Sequence, residues 1–169
     1  MRELSLNILD IAQNSISAGA PLITIEVSEN RTDQTLLIGI YDNGRGMSEE
    51  QVKSVIDPFF TTRTTRKVGM GIPLFKMSCE QTGGKFTIEG SEPIELEEVG
   101  CADGTSIVIR DIFFNTPARL KFLKSSTTEG NYIANLIDKI ALSHPEISFK
   151  FIRDNKTELI TAGDGKLYS

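Results

Sequence analysis

The residues best placed to do chemistry follow an apolar run. Residues 36–41 are apolar and rich in isoleucine and leucine, and Asp42, Gly44 and Gly46 come directly after them in the pattern Asp-x-Gly-x-Gly. Such a run predicts a buried strand. A carboxylate at its end can accept a hydrogen bond from an exocyclic amine such as that of adenine, and glycines let the backbone approach a flat ligand. Because Asn43-Gly44 also suits an ordinary turn, the pattern leaves a pocket and a simple turn open.

A second set of polar residues lies on the first predicted helix, residues 3–18. Its apolar residues recur at helical spacing, whereas Asn7, Asp10 and Asn14 share a different stripe. If the strand that ends in Asp42 packs nearby, this stripe faces a pocket. Asn14 would then offer an amide oxygen to Mg²⁺, and Asp10 could orient or deprotonate a water molecule. The alternative is a solvated helix face, and periodicity does not separate the two.

A hydroxyl-rich, basic stretch, residues 61–67, precedes Gly69 and Gly71. A helix is predicted over residues 72–82, with Pro73 in its first turn. The two glycines would expose backbone N–H groups to phosphates, and the N-terminus of the helix would point at the same place. The alternative is a surface loop that binds nothing.

The remaining pattern predicts strands over residues 22–28, 35–41, 85–89, 94–99 and 106–112, and helices after Ser48, after residues 115–117 and over residues 129–143. Ser48 and Gln51 have the spacing of a capping box. A hairpin is predicted from strands 147–152 and 158–161, which meet across Asp154-Asn155. These elements predict an α/β (α+β) two-layer sandwich, with a mixed, largely antiparallel sheet covered by helices on one face.

Composition narrows the function classes. The 169 residues suit one domain, and 39% hydrophobic and 24% charged residues are typical of globular proteins. No apolar run is long enough to span a membrane and no signal-peptide pattern begins the chain, so a cytoplasmic location without membrane contact is expected. Cys79 and Cys101 are isolated and His144 is the single histidine. This argues against a disulfide framework, a zinc site and histidine-based catalysis.

The charge is unevenly distributed. The chain carries a formal net charge of −5, yet six basic and three acidic residues lie between positions 113 and 153. The basic residues of this segment are Arg119, Lys121, Lys124, Lys139, Lys150 and Arg153. They could belong to an ordinary solvated face or to a surface that contacts an anionic partner.

Four motifs follow one another along the chain: Asn14 on the first helix, Asp42-x-Gly44-x-Gly46, Gly69 with Gly71, and Gly104-Thr105. Together they resemble the GHKL superfamily of ATP-binding domains, which includes gyrase, Hsp90, histidine kinases and MutL. The resemblance implies that Asn14 holds Mg²⁺ and that Asp10 stands where hydrolytic members carry a glutamate general base. It also implies that Asp42 binds adenine and that the hydroxyl of Thr105, after Gly104, supports the ring. The other nucleotide-binding positions that it implies are Gly44, Gly46, Met47, Thr62, Gly69 and Gly71.

Within the superfamily the chain resembles two groups. Residues 1–90 are similar to histidine-kinase-like ATPases, through the Asp57-Pro58-Phe59-Phe60-Thr61-Thr62 run and residues 69–76. Residues 91–169 are similar to MutL, through residues 104–124 and above all the Asn-Thr-Pro-Ala-Arg run at 115–119. The chain is therefore expected to be a single GHKL domain, 1–169, that stops before any following transducer domain. The two parts suggest the hypothesis of a recombinant, designed or strongly diverged sequence.

The resemblance implies a Mg-ATP-binding module, most like the N-terminal ATPase region of MutL in DNA mismatch repair. Binding and slow hydrolysis of ATP would drive a conformational change, and Asp10, one methylene shorter than glutamate, predicts weak turnover. Expected partners are ATP, DNA through the basic 113–153 segment, and a second copy or other mismatch-repair proteins. Two alternatives are a histidine-kinase-like phosphotransfer domain and a nucleotide-regulated binding module without catalysis.

Overall fold

The computed structural model describes residues 2–30, 35–56, 71–89, 104–111 and 126–166. The elements in chain order are α1 (Arg2–Ser17), β1 (Leu22–Asn30), β2 (Thr35–Asp42), α2 (Glu49–Ile56), α3 (Gly71–Gln81), β3 (Lys85–Glu89), β4 (Thr105–Arg110), α4 (Ser126–Ser143), β5 (Ser148–Arg153) and β6 (Lys156–Ile160). The predicted strand 94–99 and the helix predicted after residues 115–117 lie outside the described residues, as do Thr62 and Gly69.

The strands in the described part of the chain form one six-stranded sheet in the order β3-β4-β2-β1-β5-β6. Every neighbouring pair is antiparallel except β1 and β5, which run parallel and are separated in the chain by the intervening helices. Phe86 of β3 pairs with Ile109 of β4, so the sheet is continuous between the two parts of the chain that resemble different groups. The predicted mixed, largely antiparallel sheet is confirmed.

The core lies between one face of the sheet and the helices. Side chains alternate along β1, β2 and β5, and the inward-facing ones are fully buried, as in a strand with one covered face. Helices α1, α3 and α4 contribute Ile8, Ile11, Phe75, Ile133 and Ile137 to the same core. The arrangement is the predicted two-layer sandwich.

Local signals in the sequence set the ends of several elements. Ser48 and Gln51 form the predicted capping box, since the Ser48 N–H donates to Gln51 Oε1 at 2.9 Å and the Gln51 N–H donates to Ser48 Oγ at 3.3 Å. Asp154 and Asn155 have φ values of 46° and 62°, which a two-residue type I′ hairpin turn requires. No helix in the described part of the chain is long and apolar enough to cross a membrane. The cytoplasmic location stays a prediction.

Candidate functional site

Asp42 lies at the end of β2, where Ser15 and Gly44 both donate hydrogen bonds to its carboxylate. It is 8% exposed. The hydroxyl of Ser15, on α1, donates to Asp42 Oδ2 at 2.6 Å, and the backbone N–H of Gly44 donates to Asp42 Oδ1 at 3.0 Å. Ser15 is itself 3% exposed. A polar group buried in this way costs free energy unless it is hydrogen-bonded, so these bonds are what allow a carboxylate at this position.

The end of α1 positions the glycine turn. Gly19 has a φ of 74°, the Gly19 N–H donates to Ile16 O at 2.9 Å, and the Ala20 N–H donates to Ser15 O at 3.2 Å. These two bonds form a Schellman motif, which ends the helix and frees the carbonyl of Ala18 to face the turn. The Arg45 N–H donates to that carbonyl at 3.3 Å.

Gly44 is packed tightly against the end of α1. A Cβ added there would lie 3.0 Å from Ala18 Cβ, 3.1 Å from Ala18 O and 3.2 Å from Asp42 Oδ1. A side chain at the first glycine of the Asp-x-Gly-x-Gly pattern would therefore require Ala18 or Asp42 to shift by a few tenths of an ångström. The second, Gly46, has a φ of 65°, a conformation that favours glycine. Met47 follows it and is half-buried.

Thr105 lies directly beside Asp42. The two residues are Cα partners in the antiparallel β2–β4 pair, so their side chains are on the same face of the sheet. Thr105 is 9% exposed. Gly104 before it has a φ of 147°, and a Cβ there would collide with the carbonyl oxygen of Asp42. The Gly-Thr pair thus brings a hydroxyl next to the carboxylate because only glycine lets β4 begin so close to β2.

Tyr41, the residue before Asp42, faces the other side of the sheet. Its ring covers Gly39, where an added Cβ would lie 2.5 Å from the Tyr41 hydroxyl oxygen. Burial raises the pKa of Tyr41, and the carboxylate of Glu26 raises it further. The side chain packs against its own strand and is not part of the cluster around Asp42.

Asp10 and Gly71 form a second contact, between α1 and α3. A Cβ added at Gly71 would lie 2.6 Å from Asp10 Cβ and 3.1 Å from Asp10 Oδ2. Asp10 is otherwise exposed, and Asn14, one helical turn later, is half-buried. The structure therefore brings Asp10, from the polar stripe of α1, to Gly71 at the N-terminus of α3.

The structure groups the predicted residues into two neighbouring sets joined by α1. Asp42, Gly44 and Thr105 surround the end of β2, and Asp10 meets Gly71. Ser15 was not predicted as a site residue, although its hydroxyl donates to Asp42 at 2.6 Å. A signal was present, because Ser15 follows Ile8 and Ile11 at helical spacing and is thus a polar residue on the apolar stripe of α1.

Comparison with known proteins identifies the family. Residues 1–112 match the sequence model of a protein family, the histidine kinase-, DNA gyrase B- and HSP90-like ATPases. This chain belongs to that ATPase family. Membership implies nucleotide binding, because the family is one of nucleotide-binding ATPases.

Similar proteins carry the name MutL. The DNA mismatch repair protein MutL of Agathobacter rectalis is 38% identical over 177 aligned residues, which cover 92% of this chain and 27% of that protein. The MutL of Thermoanaerobacter pseudethanolicus is 35% identical, over 94% of this chain and 29% of that protein. The present chain thus spans less than a third of the length of these relatives. Since the matches cover more than nine-tenths of the chain, they extend across both the 1–90 and the 91–169 parts.

A solved structure agrees with the fold. The Aquifex aeolicus MutL ATPase domain, complexed with ADP, superimposes with a TM-score of 0.65 at 27% sequence identity, covering 91% of this chain and 61% of that one. The chain is therefore an ATPase module of the GHKL type, similar to the ATPase domain of MutL.

Proposed function

We propose that the chain binds ATP together with Mg²⁺ in the space bounded by the end of β2, the polar stripe of α1 and the N-terminus of α3. The observation that carries the proposal is the buried Asp42 carboxylate, fixed by Ser15 and by the Gly44 N–H. A carboxylate accepts hydrogen bonds at both oxygens, so it suits the exocyclic amine of adenine. Thr105, directly opposite on β4, would support the ring through its hydroxyl.

The glycine turn fits a flat base. Gly44 lies close against Ala18, where an added Cβ would be tightly packed, and Gly46 has left-handed backbone geometry. These two features keep the turn thin at the place where a planar ligand would enter. Met47, which follows, would contribute apolar contact, and Thr62 and Gly69 complete the proposed set from the stretch outside the described residues.

Asn14 is the proposed protein ligand for Mg²⁺. The described residues contain no group of three or more His, Cys, Asp or Glu side chains that could hold a metal ion by themselves. This suits Mg²⁺, which proteins usually bind through one or two oxygen ligands plus substrate phosphates. The ion would neutralise phosphate charge, and the amide oxygen of Asn14 would fix its position relative to α1.

Asp10 is the proposed general base for ATP hydrolysis. It lies one turn before Asn14 and touches Gly71, whose backbone begins α3 and would face the phosphates. The carboxylate is exposed, so it can reach a water molecule. Its side chain is short, and a general base must lie within hydrogen-bond reach of the proton it removes. We therefore expect slow turnover, which Asp10→Asn would abolish while leaving binding in place.

Calorimetry with a non-hydrolysable ATP analogue, with and without Mg²⁺, tests the pocket. Asp42→Asn replaces an acceptor by an amide and should weaken binding by about 1–3 kcal/mol, or roughly 5–150-fold. Asp138→Asn is the matched control, because Asp138 is an exposed carboxylate on α4. Unchanged affinity in Asp42→Asn, or an equal loss in both variants, would reject the assignment. Circular dichroism checks that each variant is folded.

The biological role that we propose is that of a mismatch-repair ATPase module in which ATP drives association with a second copy or with other repair proteins. The support is the name of the relatives, DNA mismatch repair protein MutL, and the similarity over nearly the whole chain. DNA would be contacted through the basic 113–153 segment. Within that segment Lys139 is exposed on α4, whereas Arg153 is paired with Asp154 and Glu158.

DNA binding is tested by its salt dependence. A protein that neutralises phosphates loses affinity linearly on a logarithmic salt scale, with a slope that counts the contacts. Lys139→Ala should weaken binding for all DNA sequences and reduce that slope by about one. The control is Lys53→Ala on α2, outside the basic segment, whose lysine is also exposed. Affinity independent of salt would contradict the proposed DNA contact.

Phosphotransfer is the second candidate function, favoured by the match of residues 1–112 to a family that includes histidine kinases. Transfer of the γ-phosphate to a separate protein would identify it. Tight binding with zero turnover and no transfer would instead identify a nucleotide-regulated binding module.

A further inference from the structure

Asn43-Gly44, inside the Asp-x-Gly-x-Gly turn, is the one place in the sequence where glycine follows asparagine. Such pairs undergo spontaneous deamidation. The backbone nitrogen of the glycine attacks the side-chain carbonyl carbon of the asparagine, ammonia leaves, and a five-membered succinimide forms. Water then opens the ring to aspartate or to isoaspartate. Glycine favours the attack because it has no Cβ to hinder ring closure.

Both reacting groups are hydrogen-bonded in the folded protein. The Gly44 N–H, which supplies the nucleophile, donates to Asp42 Oδ1 at 3.0 Å. The Asn43 side-chain oxygen, which belongs to the electrophile, accepts the Leu22 N–H at 2.8 Å. The Asn43 N–H in turn donates to Leu22 O at 3.4 Å, so the side chain and backbone of Asn43 both bind the first residue of β1.

These contacts oppose the reaction in two ways. The nucleophile must lose its proton, and an amide anion would then lie about 3 Å from a carboxylate, where like charges repel. The side-chain oxygen must also move as the ring closes, and the hydrogen bond that it accepts from the Leu22 N–H restrains that movement. Gly44 is buried and Asn43 half-buried, so the turn has to open before the ring can close.

We propose that Asn43 is a site of spontaneous deamidation that the closed turn suppresses, and that the reaction proceeds when the turn opens. The overall change consumes one water and releases one ammonia. The aspartate product places a second carboxylate beside Asp42. The isoaspartate product also lengthens the backbone by one methylene, which displaces Gly44 from Asp42 and Ala18. Either product alters the turn irreversibly.

The first test compares the folded chain with the same chain unfolded in urea, both in mildly alkaline buffer. Peptide mapping by mass spectrometry follows the mass increase at Asn43 and separates the two products. We expect the folded chain to react at least ~10-fold more slowly, because opening breaks two hydrogen bonds. Equal rates in the two states would overturn the proposal.

The second test isolates the bond from Leu22. Leu22→Pro removes the N–H that holds the Asn43 side chain, and proline is tolerated as the first residue of a strand. Leu22→Ala is the matched control, because it removes the same side chain but keeps the N–H. In the folded state Leu22→Pro should deamidate ~5-fold faster than Leu22→Ala. Equal rates in two folded variants would show that this bond gives no protection. If Leu22→Pro does not fold, the comparison of the folded and the unfolded parent chain decides whether the closed turn suppresses deamidation at Asn43.

Discussion

Replacing Ser15 by alanine tests the central contact of the site. The change removes one oxygen atom and with it the hydroxyl that donates to Asp42 Oδ2 at 2.6 Å. Serine and alanine differ little in volume, so almost no cavity forms. The effect therefore reports the hydrogen bond rather than the packing of α1.

The size of the effect follows from the surroundings of the bond. Both residues are buried, at 3% and 8% exposure. A hydrogen bond to a carboxylate contributes about 1.5–3 kcal/mol, and a buried partner left without it incurs its desolvation cost. The Gly44 N–H still donates to the other oxygen, so Asp42 stays in place. We expect Ser15→Ala to lower the free energy of unfolding by about 1.5–3 kcal/mol.

Urea unfolding measures the loss, and Ser17→Ala is the control. Ser17 is an exposed serine at the end of the same helix, so its replacement should change stability by no more than about 0.5 kcal/mol. Affinity for the ATP analogue should also fall in Ser15→Ala, by ~5-fold for a loss of ~1 kcal/mol in the orientation of Asp42.

Two outcomes would refute this reasoning. A loss of stability in Ser15→Ala equal to that in Ser17→Ala would mean that the Ser15–Asp42 bond contributes nothing net. A loss of stability of the expected size with unchanged nucleotide affinity would mean that the bond is structural alone and does not orient Asp42 for adenine.

Three further predictions concern other contacts. Gly71→Ala should cost about 1–3 kcal/mol in urea unfolding, because its Cβ would lie 2.6 Å from Asp10 Cβ. Gly130→Ala should give less than the ~1 kcal/mol that alanine usually adds within a helix, because its Cβ would displace the end of the Arg153 side chain, which is paired with Asp154 and Glu158; in an Arg153→Ala background the full gain should return. Burial, then Glu80 and Asp111, raises the pKa of Cys79 from 9.0 to about 11. The stability contributed by the protonated thiol, full below pH 9.0, should therefore be lost as pH rises toward 11, which urea unfolding across this pH range measures.

Much of the fold could be predicted because the sequence marks both the faces and the ends of its elements. Alternation along β1 and helical spacing along α1 identify the buried faces, and Ser48, Gly19 and the Asp154-Asn155 pair mark where elements begin or end. The order of the strands could not be read in this way. The parallel pairing of β1 with β5 joins residues more than a hundred positions apart, and no local pattern encodes that distance.

The candidate site was predictable in part for the same reason. Asp42 and the glycines stand at a strand end in a recognisable spacing, and Thr105 follows a glycine that begins a strand. Ser15 was missed because its role depends on which face of α1 meets β2. Its position on the apolar stripe would have suggested burial, but the identity of its partner depends on tertiary packing.

The contacts around Asp42 connect binding to folding. Ser15 joins the Asp42 carboxylate to α1, and Leu22 joins Asn43 to β1. Thr105 is the neighbour of Asp42 on β4. Three elements thus meet at one strand end, and each contact that shapes the proposed pocket also links a helix or a strand to the sheet. Ligand that binds only the folded state must then raise the free energy of unfolding by RT ln(1 + L/Kd), where L is the concentration of free ligand. Variants at this strand end should therefore lose affinity and stability together. Asp10→Asn is expected not to lose affinity and stability together, because Asp10 is exposed and faces the N-terminus of α3 rather than the core.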